Sequence, residues 1–398
     1  MWMWKHDQFL EYAHVLLLAL LTLTATGWAF LPASGIGDGP SFGINYGKVA
    51  NDLPAPADVI TIIHSISITK SKLYDADPLV LRTFGNTGIS FIVGTANDDL
   101  QYLANPALAM AWVEENIASY LPATHIIGIV VGNEIFSGAD TNLMRQVLPA
   151  MQNVYAALES LNLHRQIMVS TAHSFSTLGT SYPPSTGSFS ESIANLYMKP
   201  VLDFLSRTGS PFLINVYPFF AYKDNPSTVS LAYVLFQTNP GVLDANTNLR
   251  YFNMFDAQMD AVYSAISALG FDNITLLVSE TGWPSVGDPD EPGANLANAQ
   301  IYHENLVHHV TSQKGTPLKP NTSLEVYLFA LFNEDMKPGP TSERNYGLFR
   351  PDGSPVYNFR FFQSSSAAPT FAVDKLACMA IVYMYYMLVY SFTNSNVC

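Results

Sequence analysis

The chain has 398 residues, 48% hydrophobic and 13% aromatic, which supplies core for one large domain or two ordinary ones and excludes a disordered or fibrous protein. Its formal charge is −14 on only 13% charged residues, without any basic run. That excludes a nucleic-acid backbone as partner, which needs clustered Lys and Arg to displace counterions, and the acidity otherwise reads equally well as a solubility feature.

At the amino end, "HVLLLALLTLTATGWAFLPASG" is an apolar run of signal-peptide length followed by small residues where a peptidase can cut. Residues 1–35 are therefore expected to be a secretory leader. The alternative, an uncleaved membrane anchor, is disfavoured by the polar interruptions after Leu21. The stretch before the run is long and carries Asp7 and Glu11 beside Lys5, which leaves the cleavage point approximate.

Short β-branched runs then alternate with helical patterns. "FGINYG" from Phe42, "ITKSKLYD" from Ile68, "ISFIVGTA" from Ile89 and "HIIGIVVGNE" from His125 are followed by "QIMVSTAH", "PFLINVYP", "ITLLVSE" and "LEVYLFALFNE". Each is nearly continuous apolar sequence, as expected of parallel strands covered on both faces. Helix candidates between them include "NPALAMAWVEENIASYL" and "TNLMRQVLPAMQNVYAALESLN". Eight strand–helix units predict a single α/β domain, a (β/α)8 TIM barrel, over residues 36–363. The competing doubly wound sheet lacks its glycine fingerprint after the first strand.

Two strands end on a carboxylate: the fourth on Glu134 and the seventh on Glu280. In a barrel these ends meet across one mouth, and two opposed carboxylates are what glycoside hydrolysis requires, one protonated to donate to the leaving oxygen and one ionised to attack the anomeric carbon. Either Glu alone could equally be a strand-end residue capping the next helix, but at matching positions the pair favours chemistry. Asn133, beside Glu134, is placed to hydrogen-bond a sugar 2-hydroxyl.

Aromatic residues recur at strand ends: Tyr46, Tyr74, Tyr217 with Phe219 and Phe220, and Trp283. They are candidate platforms for apolar sugar faces, Tyr46 and Tyr217 foremost, while Phe219 and Phe220 suit core packing equally well. His173 reads as a hydrogen-bonded mouth residue, and His303, His308 and His309 do not share one helical face, so no metal or other cofactor is expected. After the eighth strand, Glu334, Lys337 and Glu343 crowd opposite charges near the mouth, either to hold two carboxyl pKa values apart or as a solvated surface pair. Asn273 and Asn321 lie in N-glycosylation sequons.

Residues 364–398 begin with serine and alanine and carry the apolar run "CMAIVYMYYMLVYSF", the pattern of a glycosylphosphatidylinositol attachment signal with the anchor on one of Ser364 to Ala367. The polar ending "TNSNVC" departs from that pattern, and a short tail anchor or vacuolar-type propeptide are the alternatives. Both cysteines, Cys378 and Cys398, fall in this tail, so a mature domain without it has no disulfide and no thiolate site.

Taken in order, "GINYG", "KLYDADP", "VVGNE", "NVYPFF", "VSETGWPS" and "LFNEDMKPGPTSERNYGLFRPDG" resemble the plant glucan endo-1,3-β-glucosidases of glycoside hydrolase family seventeen, over about residues 41 to 362. The resemblance implies a retaining endo-hydrolase of β-1,3-glucan on a (β/α)8 barrel. By position it implies Glu134 as acid/base and Glu280 as nucleophile, with Glu334, Lys337 and Glu343 as the charged cluster and Tyr46, Asn133 and Tyr217 as substrate contacts. At Lys72 some relatives carry arginine, and lysine keeps the charge without the bidentate fork. The cysteine-rich carbohydrate-binding module that many anchored relatives carry after the barrel is not expected here, since the residues after it match the tail pattern instead. Two other readings are a catalytically inactive glucan-binding wall protein, against which the complete carboxylate set argues, and a hydrolase of mixed-linkage β-1,3-1,4-glucan. The expected setting is a monomer in the cell wall, tied to the outer face of the plasma membrane through a lipid anchor.

Overall fold

The computed structural model describes residues 41–359. The expected leader, the tail and both cysteines lie outside the described residues. Eight strands form the centre: β1 (Ser41–Asn45), β2 (Lys70–Lys72), β3 (Ser90–Thr95), β4 (His125–Asn133), β5 (Met168–Ser174), β6 (Phe212–Asn215), β7 (Leu276–Thr281) and β8 (Glu325–Leu328). They close into an all-parallel barrel, in the order β1-β8-β7-β6-β5-β4-β3-β2 and back to β1. Every residue of β6, β7 and β8 is buried, the reason these strands read as continuous apolar sequence rather than as an alternation.

The helices around the barrel start where the sequence supplies caps. Helices α1 (Pro56–Ser65), α2 (Pro78–Thr83) and α3 (Pro106–Asn116) each open on proline, whose missing N–H has no helical partner to lose at that position. Asp77 accepts from the first-turn amides of α2, and Asn105 does the same for α3. Asp140, Asn253 and Asn295 cap α4 (Thr141–Ser160), α6 (Met254–Ala268) and α7 (Leu296–Thr311), while α5 (Lys199–Thr208) stops at Gly209 in the left-handed region. Each side-chain cap is worth ~1 kcal/mol.

Two apolar layers result. One lies between strands and helices, and the other is a smaller cluster of Ile92, Val130, Ala172, Leu213, Leu277 and Tyr327, one residue from each of β3 to β8, filling the barrel interior. Tyr327 fits because β1 offers a glycine: a Cβ on Gly43 would fall 2.3 Å from its ring. Two short hairpins, Leu178–Thr180 with Ser188–Phe189 and Val242–Asp244 with Leu249–Tyr251, were not expected from the sequence. Because all eight strands run one way, the residues that follow them share one mouth.

Candidate active site

Glu134 is the first residue after β4, in the left-handed region at φ 57°, ψ 26°. A non-glycine residue there is strained, and such strain persists where surrounding contacts impose it. Here the Glu134 amide donates to Ala172 of β5 at 2.8 Å, and Asn215, at the end of β6, donates through Nδ2 to Glu134 Oε1 at 2.9 Å. Glu280 lies within β7, and three donors converge on it. Lys72 Nζ and the Tyr74 hydroxyl reach Oε1 at 2.9 and 2.7 Å, and the Tyr217 hydroxyl reaches Oε2 at 2.9 Å.

These surroundings push the two carboxyls apart. For Glu134, burial first and then the negative charge of Glu280 raise the pKa, against the Asn215 hydrogen bond and the charges of Lys72 and Lys337. For Glu280, burial works in the same upward direction, but the Lys72 charge and the hydrogen bonds from Lys72, Tyr74 and Tyr217 outweigh it and hold the carboxyl below its ordinary range. One group is thus inclined to keep its proton and the other to stay ionised, the division of labour an acid and a nucleophile need.

A cleft of about 500 Å³ at the mouth brings together six of the residues singled out from sequence: Glu134, Tyr217, Phe220, Glu280, Lys337 and Glu343. Lys337 Nζ pairs with Glu343 Oε2 at 3.1 Å and sits 4.5 Å above the Phe329 ring, so this pair belongs to the cleft wall rather than to a remote surface. Glu334 stands outside that lining, its Oε1 accepting the Val49 amide at 2.9 Å, and burial raises its carboxyl pKa despite that bond and Lys337. Asn133 is clamped through its backbone by Asn97, and its own buried Oδ1 has no hydrogen-bond partner among the described residues. Asn273 and Asn321 are exposed, in loops.

Three expectations need correction. Trp283 is not a sugar platform: it is fully enclosed, packed against Phe219 and Tyr302, with its indole N–H donating to the Gly293 carbonyl at 2.9 Å. Tyr46 offers no open ring face either, being 2% exposed and edge-on to Phe332. His173 is a core residue stacked between Phe136 and Phe212, its ring nitrogens have no partner among the described residues, and burial drives its pKa down to about 3, so it is neutral. The adjacent phenylalanines divide: Phe219 is in the core, whereas Phe220 is 36% exposed and lines the cleft beside Tyr217.

The structure also gives roles that sequence reasoning did not assign. Tyr74 and Tyr217 act on Glu280 through their hydroxyls, not their faces. Lys72, whose part was open, is 1% exposed and is the cation beneath Glu280. Asn215, inside the "NVYPFF" motif, and Ser279, inside "VSETGWPS", were not singled out. For Lys72 the available signal was a lysine within a short strand flanked by apolar sequence, since a buried ammonium demands a carboxylate.

Two oppositely tuned carboxylates in a cleft at the carboxyl end of a (β/α)8 barrel define a glycoside-hydrolase class of site. The family described as glycosyl hydrolases family 17 matches residues 42–361, and the chain belongs to it. It is similar to glucan endo-1,3-beta-glucosidase 14 of Arabidopsis thaliana, 51% identical over 348 residues covering 87% of this chain and 86% of that protein. Among solved structures it is similar to a β-1,3-glucanase and allergen of Cryptomeria japonica pollen, with 42% identity and TM-score 0.77 over 81% of this chain and 99% of that one. It is likewise similar to a structure described among two plant β-glucan endohydrolases with distinct substrate specificities, with 39% identity and TM-score 0.74 over 80% and 99% of the two chains.

Proposed function

We propose that this chain is a retaining endo-hydrolase of β-1,3-glucan. Glu134 protonates the glycosidic oxygen while Glu280 attacks the anomeric carbon, giving a glycosyl-enzyme ester. Glu134, now ionised, then takes a proton from water, which displaces Glu280 and restores both groups. The observation that carries this reading is the opposite displacement of the two carboxyls within one cleft. The similarity to endo-1,3-β-glucosidases supports the linkage. An inactive glucan-binding role is disfavoured, because a site without turnover has no need of three donors trained on one buried carboxylate.

The Phe220 ring is the sugar platform in this reading, with the Tyr217 hydroxyl held by Glu280, the Lys337–Glu343 pair on the cleft wall and Glu334 outside the lining. The biological setting rests on sequence alone: a leader over residues 1–35, a catalytic domain over 36–363, glycosylation at Asn273 and Asn321, and a lipid anchor replacing the tail, placing a monomer at the cell wall. Among the described residues no helix is long and apolar enough to cross a membrane.

The test is the stereochemistry of first products. With linear β-1,3-gluco-oligosaccharides, NMR of the anomeric protons should show the β-anomer forming first, and Glu280→Gln should abolish turnover while leaving the fold and glucan binding intact. First appearance of the α-anomer would refute retention, undiminished turnover in Glu280→Gln would refute the nucleophile, and turnover confined to mixed-linkage glucan would move the substrate.

A further inference from the structure

We propose that Ser279 and Asn215 form a positioning relay that fixes which oxygen of Glu134 carries the proton given to the leaving group. The proposal deepens the proposed function and rests on Glu134 being the acid. Ser279 Oγ donates to Asn215 Oδ1 at 2.5 Å, and Asn215 Nδ2 donates to Glu134 Oε1 at 2.9 Å. Ser279 and Asn215 are both buried. Ser279 is itself held from the other side, its carbonyl accepting Asn45 Nδ2 at 3.1 Å. That same Asn45 amide also donates to the Leu328 carbonyl at 3.1 Å, and its Oδ1 stands 3.2 Å from the Tyr74 hydroxyl that serves Glu280. The relay thus hangs from a frame that reaches the nucleophile as well.

The chemical reason lies in the amide. Its two ends have almost the same shape and opposite hydrogen-bonding character, so a half-turn would place Oδ1, an acceptor, against Glu134. The Ser279 hydroxyl, by donating, selects the orientation with Oδ1 toward itself and N–H toward the acid. Glu134 Oε1 is then an acceptor whether or not the carboxyl is protonated, and the transferable proton resides on Oε2. Were the amide reversed, Oδ1 would accept the acid's own proton and hold it away from the glycosidic oxygen. The Asn215 N–H also favours the ionised carboxylate, which offsets burial and the charge of Glu280. The other groups facing Glu134 are Glu280 from β7, Lys72 and Tyr74 from β2 and just beyond it, Tyr217 after β6, and Lys337 and Glu343 from the segment after β8. Substitution at Ser279 leaves all of these in place.

The experiment compares kcat/KM, which reports the glycosylation step, for a β-1,3-glucopentaose that needs acid assistance and a dinitrophenyl β-1,3-glucobioside whose leaving group does not. Ser279→Ala should lose roughly tenfold or more on the pentaose and only about threefold on the dinitrophenyl substrate, since general-acid help is worth ~10²–10⁴. Its alkaline limb on the pentaose should move to higher pH, because the carboxylate loses a donor and the protonated form gains an acceptor. Ser279→Thr, which keeps the hydroxyl, should restore both. Equal losses on the two substrates, or an unmoved limb, would overturn the relay. If Ser279→Ala does not fold, Asn215→Ala carries the same comparison with the same two readings. Glu134→Gln separates the layers: equal loss on both substrates from that variant removes the acid assignment itself, whereas discrimination by Glu134→Gln without discrimination by Ser279→Ala removes only the relay.

Discussion

Lys72 is the residue on which the charge state of the site turns. Burial alone would push the Glu280 carboxyl up, and the lysine charge is the largest influence that reverses it. Lys72→Met keeps the stem and deletes the charge, so the folded-state pKa of Glu280 rises and the nucleophile becomes protonated at a higher pH. The acid limb of kcat/KM should therefore move toward neutrality, and the variant should lose about 3–5 kcal/mol of stability at neutral pH, where the unpaired carboxylate must stay buried and charged. A pH–rate profile and thermal unfolding check both, and an acid limb that stays in place would show that the tyrosines suffice. The two carboxylates were legible in sequence because they end two apolar runs at matching positions, where either alone would read equally well as a helix cap. The residues that tune them were harder to see. Tyr217 was visible as an aromatic, but its hydroxyl contact depends on which way the chain turns after β6, and Trp283 was misread because a side chain just past a strand end can face either the mouth or the helix layer.

At the level of elements, the strands declare themselves by burial on both faces, whereas the hairpins, only two or three residues per strand, leave no periodicity to read. Helix α4 shows tertiary context overriding a local signal. It runs through Pro149, normally a helix breaker, because Met144, Val147, Met151, Val154 and Leu158 bury a continuous stripe on both sides of the proline. The closure of the barrel rests on a similar complementarity between elements, with Gly43 of β1 giving way to Tyr327 of β8. Gly43→Ala should force that enclosed ring to shift and cost about 1–3 kcal/mol, the usual penalty of overpacking. Denaturant unfolding measures it, and a variant as stable as the wild type would mean that the ring has room to move. Pairing Gly43→Ala with Tyr327→Phe would not relieve the clash, since the near contacts are ring atoms and not the hydroxyl.

For the whole molecule, pH acts through groups that never touch substrate. Asp260 on α6 is fully buried, accepts the Leu318 amide at 2.8 Å, and is raised from 3.8 to about 6 by burial, against hydrogen bonds from Thr316, Leu318 and Tyr251 and with Asp256 adding to the rise. A carboxyl raised on folding binds its proton more tightly in the native state. Its stabilisation is therefore complete below the unfolded pKa and is lost as pH rises through about 6. Glu134 and Glu334 carry the same sign, while Glu280, lowered on folding, contributes stability above its unfolded pKa that acid removes. On a chain whose formal charge reaches −14 with every carboxyl ionised, ionising this enclosed acid adds to the self-repulsion. Asp260→Asn keeps the shape and removes the titration. Relative to the wild type it should gain about 2–3 kcal/mol between about pH 4 and pH 7, the free energy of a shift of this size. Taking the difference between the two unfolding curves cancels the distant carboxyls, which contribute equally to both. A constant difference across that range would mean that Asp260 keeps an ordinary pKa in the folded protein.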